Sequence, residues 1–133
     1  MQNPADDDRD LQERLRRVLT LCAAAGETLA YRDLAQRAEV PGPHSIHRLT
    51  LALEAMIRDD HAAGRPLLAA LAVGRAQRGA DGRPLPGRGF FHLLAELGRY
   101  DGPDHGTAAA ACHAGEVEKA QAYWGAREAS GGV

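Results

Sequence analysis

The side chains best equipped for chemistry in this 133-residue chain are its arginines, fifteen of them against a single Lys. Arg75, Arg78, Arg83 and Arg88 fall within "GRAQRGADGRPLPGRG", residues 74–89, where Asp81 is the one acid. Guanidinium forks match phosphate oxygens, and Gly lets a backbone approach closely. A second polar group, His44, Ser45, His47 and Arg48, follows "VPGP". The chemistry both groups offer is non-covalent recognition of an anion.

Covalent and metal chemistry find less support. The Gly-rich segment has no Gly-Lys-Ser/Thr and no Gly-x-Gly-x-x-Gly, so it is not a nucleotide loop. His44 with His47, or Asp104, His105, Cys112 and His113, do not reach four ligands at structural-zinc spacing. Cys112 and His113 are adjacent, so on a helix they point about 100° apart and do not form a nucleophile–base pair. Neither a cofactor nor a metal is expected, and no catalytic residue is assigned.

The net charge of −2 hides an uneven distribution. Residues 1–13 hold five acids and one Arg, and residues 101–133 five acids and two bases. The 14–100 body holds thirteen Arg against eight acids, a net +5 between acidic ends. This is either an electrostatic footprint or the mark of a chain in which Arg is simply common. Two unspaced cysteines fit a reducing cytoplasm. No signal pattern opens the chain, and no apolar run nears the roughly 20 residues of a membrane span, so a soluble intracellular protein is expected.

The elements that must position these groups follow from periodicity. Residues 1–9 read as a flexible acidic tail, with Asp7 or Asp8 capping a first helix. Leu11, Leu15, Val18, Leu19 and Cys22 share one face of that helix, and Gly26 ends it. Residues 28–30 suit a short strand, and a helix follows over about 31–38 with Leu34, Ala35 and Ala38 inward. "VPGP" blocks continuation. A second helix starts near Pro43 or His44 with Ile46, Leu49, Leu53, Met56 and Ile57 as its inner stripe, until Gly64 and Pro66 stop it. Leu67, Leu68, Leu71 and Val73 suggest a strand, the 75–88 segment a turn, and "RGFFHLLAELG" a short strand passing into a helix. Phe90, Phe91, Leu94 and Leu97 would face inward there. After a linker, one or two helical segments surround Gly115.

That order is the order of a winged helix-turn-helix with an added C-terminal helix: a mainly α protein with a small β-hairpin. "TLAYRDLAQRAEV-PGPHSIHRLTLAL" resembles the Tyr-x-x-Leu-Ala unit of winged-helix proteins, in particular the alkyltransferase-like branch. "GRPLLAALAV" with "PGRGFF" resembles winged domains found beside restriction-type nucleases in bacteria. The first resemblance implies that Tyr31 helps to turn a damaged base out of a duplex, with His47 at the position of the family's Arg and Arg48 beside it. It also implies that alkyl transfer is absent, because Leu67 stands where the reactive Cys follows the Pro.

The expectation is one winged domain over 10–100, followed by a linker and C-terminal helix over 101–133 that packs on it. It would act as a non-catalytic binder of double-stranded DNA, a transcriptional regulator or a DNA-processing accessory factor. Tyr31, His44, Ser45, His47 and Arg48 would contact DNA from the helical unit, and Arg75, Arg78, Arg83 and Arg88 from the wing. Four neutralised phosphates would give a log-affinity slope of about −3.6 against log salt. Glu54, Asp59 and Asp60 count against this if the whole second helix lies along the backbone. The alternative is a protein–protein interaction module that dimerises through the C-terminal helix with Tyr123 and Trp124. Trp124 serving the domain's own core competes with that role.

Overall fold

The structure, a computed structural model, describes residues 4–75, 78 and 82–131, with side chains over 7–128 of these. Helix α1 runs over Pro4–Ala24. The N–H that Pro lacks would have no partner in a first turn, and acidic residues there suit the positive end of the helix dipole. From Pro4 onward the expected tail is therefore helix, and the 1–9 boundary is corrected. Leu11, Leu15, Leu19 and Cys22 are buried along one side. Gly26, at φ +70°, turns the chain while the Glu27 N–H donates to the Cys22 carbonyl at 3.1 Å.

Strand β1 (Leu29–Ala30) leads directly into α2 (Tyr31–Arg37), which buries Leu34 and Ala35. Arg14 of α1 reaches the end of α2. Its Nε donates to the Ala38 carbonyl at 2.7 Å and a terminal nitrogen to that of Glu39 at 3.3 Å. A cation thus meets the helix's negative end. After a turn over 38–44, α3 spans Ser45–Ala62 and buries Leu49, Leu53, Met56 and Ile57. Ile46 departs from the expected stripe and is 45% exposed. It lies in the first turn, before α3 enters the core at Leu49.

Residues 67–73 do not form the expected extended strand. Leu68–Leu71 make a 3-10 turn, and only Ala72–Val73 are strand (β2). Leu67 through Val73 are buried throughout, so nothing imposes the period-2 alternation of a half-exposed strand. β2 pairs in parallel with β1, Leu29 opposite Ala72 and Ala30 opposite Val73. This replaces the expected β-hairpin. The returning segment holds Pro84 and Pro86, whose nitrogens cannot donate to a ladder. Among the described residues its antiparallel contacts are a bridge between Arg78 and Pro84 and a bond from the Gly74 N–H to the Leu85 carbonyl at 2.9 Å.

No strand precedes the next helix either. α4 covers Arg88–Glu96, and its aromatic and leucine side chains recur at helical spacing, with Phe90, Phe91, Leu93 and Leu94 buried. α5 (Gly106–Gly131) passes through Gly115 as one helix and packs along α1 and the 3-10 turn. Gly125 permits that approach: a Cβ there would sit 3.0 Å from the Ala23 carbonyl oxygen. The described chain is thus mainly helical with a small two-stranded parallel sheet. None of its described helices is long and apolar enough to cross a membrane.

Candidate functional site

The start of α3 is the first element of the candidate site. Its inner face is held in the core from Leu49 onward, while His44, His47 and Arg48 are exposed and Ser45 is half-buried. His44 caps the helix from a left-handed conformation, φ 63°, with no side-chain bond to the helix N–H groups. The first turn carries no acid. Its orphan N–H groups and the dipole therefore favour an anion. Among the described residues the Arg48 side chain makes no ion pair.

The four loop arginines are all exposed and have different neighbours. Arg75 and Arg78 are exposed, and Arg78 donates to the Gly82 carbonyl at 3.0 Å. Arg83 lines a 310 Å³ cleft against α5 with Thr28, His113 and Glu118. Arg88 opens α4 near Asp104. The Asp104 carboxyl is held below its ordinary value by hydrogen bonds from His105 and His92, with the Arg88 charge contributing less. Asp81 lies outside the described residues.

Tyr31 works at the base of this loop. Its hydroxyl accepts the Gly87 N–H at 2.9 Å, and its ring packs where a Cβ on Gly74 would come within 3.2 Å. One side chain thus holds both feet of the 74–87 segment. Burial raises its phenol above the ordinary value. The position where a reactive Cys would follow the Pro is Leu67, which is fully buried. Burial also raises the Cys22 and Cys112 thiols, which disfavours thiolate chemistry at both.

Sequence reasoning missed a set of buried charges. Asp60, weighed with Glu54 and Asp59 as an acid that would meet phosphate if the whole helix lay along DNA, has no exposed surface and points into the protein. Arg16 and Arg65 each approach its Oδ1 at 3.0 Å, and the Leu68 N–H donates to its Oδ2 at 3.3 Å. Both guanidinium groups also lie against the Trp124 ring, at 5.7 and 5.6 Å from its centroid. The Trp124 indole N–H donates to the Pro66 carbonyl at 2.9 Å. Trp124 therefore packs within its own domain.

Further along α5, Glu116 accepts two bonds from Arg99 at 2.9 and 3.2 Å. His113 bonds the Ala70 carbonyl through Nε2 at 2.8 Å. A carbonyl only accepts, so the proton sits on Nε2. The one available signal was position: Asp60 falls on the buried arc of α3 between Met56 and Ile57. Among the described residues no three His, Cys, Asp or Glu side chains converge on a point that could hold a metal.

Compared with known protein families, characterised proteins and solved structures, the chain gives no match.

Proposed function

We propose that this protein binds duplex DNA without catalysis, as a regulator or a DNA-processing accessory factor, through a variant of the winged helix-turn-helix. In this reading α2, the 38–44 turn and α3 form the helical unit, and the 74–87 segment stands in for the wing. The observation that carries the reading is the uncovered start of α3. There, His44, His47 and Arg48 face solvent from a helix end without acids, on a helix whose remainder is fixed in the core. Such an end can enter a groove with its donors already placed. The loop tied down by Tyr31 adds Arg75 and Arg78 as outward contacts. Arg83 and Arg88 are exposed as well but lie beside the α5 cleft and Asp104, and take a lesser part. Tyr31 becomes a positioning residue for the loop in place of a base-turning one.

Anisotropy of a labelled duplex across a salt series tests this. Arg48, Arg75 and Arg78 neutralising three phosphates give a slope of about −2.7. Arg48→Ala lowers affinity and removes about 0.9 from that slope. Absence of duplex affinity at low salt overturns the reading. A slope unchanged in Arg75→Ala/Arg78→Ala removes the loop from it.

A further inference from the structure

The acidic opening of α1 and the outward side of α3 enclose a groove of about 600 Å³, which meets the start of α3 at Arg48. Leu11, Leu51, Ala52 and Ala55 form its apolar floor. Leu51 is 53% exposed, although it sits in the middle of an otherwise well-seated helix. Asp7 and Asp8 line the α1 rim. Both are exposed, and neither has an ion-pair partner among the described residues. Asp10 is already satisfied by Arg14. The uncompensated charge on this rim is therefore negative, above a continuous apolar surface. That combination suits a cation attached to an apolar stripe.

We propose that this groove docks a short, basic, amphipathic segment of a partner protein. Its apolar side covers Leu51 and its cations meet Asp7 and Asp8. The groove follows α3 from Arg48 to Ala55, roughly 12 Å at 1.5 Å per residue, which accommodates about two helical turns. Arg48 on the opposite rim sets the orientation, because the segment must keep its cations on the α1 side. The inference does not rest on the DNA reading.

The test is titration of the ¹⁵N-labelled protein with a synthetic 18-residue Leu/Lys amphipathic helix, with a Leu/Glu counterpart as control. Shifts confined to residues 7–14 and 48–55, produced by the Leu/Lys helix alone, are expected. Asp7→Asn/Asp8→Asn should weaken that binding about threefold to tenfold, as the loss of two exposed ion pairs would. Leu51→Ser, at an exposed position, should weaken it while leaving the spectrum otherwise folded. The proposal is overturned by shifts scattered over the molecule, by an equal response to the Leu/Glu helix, or by undiminished binding in the Asp double variant. A duplex that shifts Asp7, Asp8 and Leu51, beyond the Arg48 that the DNA reading also uses, overturns it as well. So does self-association of the wild type that Leu51→Ser abolishes, which would make the occupant a second copy of this chain.

Discussion

Charged and ring-bearing side chains are used in opposite ways on the two sides of this molecule. Along α5 they turn inward. Arg16 and Arg65 close on Asp60 and on the face of Trp124, Arg99 closes on Glu116, and His113 on a backbone carbonyl. At the start of α3 they turn outward, and His44, His47 and Arg48 hold no element in place. Burying a charge is tolerable only when partners replace its water, so the α5 groups are committed to holding the fold. The α3 groups keep their hydration and remain available to a ligand. Arg count alone does not separate these roles; the presence of a buried carboxylate opposite the guanidinium does.

Asp60→Ala is the strongest way to break the comparison. It leaves two guanidinium groups around an empty site, at a cost of about 3 kcal/mol. This is the low end of the usual range, because the Arg16 and Arg65 side chains are 25% and 37% exposed and can recover some water. Urea unfolding measures it, and a loss below about 1 kcal/mol would mean that the cluster is not a structural clamp.

His113 gives a smaller, pH-dependent effect. Burial lowers its imidazole below the ordinary value of 6.5, outweighing the opposing influences of the Ala70 carbonyl and Glu116. The unfolded chain then takes up a proton at a higher pH than the folded one does. This contribution to stability is complete above about pH 6.5 and falls away as pH drops through the folded value. Unfolding midpoints between pH 5 and 8 should decline on the acid side in the wild type, and His113→Gln should flatten that limb. An identical limb in both proteins would assign the decline elsewhere.

The smallest expected effect is at the start of α3. His47→Ala/Arg48→Ala should change stability by no more than about 0.5 kcal/mol, since both side chains are exposed. A larger loss in thermal unfolding would show that these residues belong to the structural group after all.

Much of the helical skeleton was legible in the sequence, because its signals are local. Leu11, Leu15, Leu19 and Cys22 mark one helix face, and Gly26 stops the helix in the left-handed conformation that glycine adopts without strain. The pair Tyr31–Arg37 and Ser45–Ala62, broken at "VPGP", could be read in the same way. The 67–73 run could not, because a fully buried apolar segment carries no periodicity to distinguish a strand from a tight helical turn. Ile46 was misplaced because periodicity reports which side of a helix is apolar and not how far the core extends along it.

By itself, then, the sequence determined most of the helices, the break at "VPGP" and the concentration of arginine in the middle of the chain. Tertiary structure decided which charges are available. Arg16 and Asp60 are 44 residues apart and Tyr31 and Gly87 are 56 apart, and neither pairing leaves a trace in local spacing. Packing α1 and the 3-10 turn against α3 surrounds Asp60, and the loss of water is what turns an acidic residue and two arginines into a clamp.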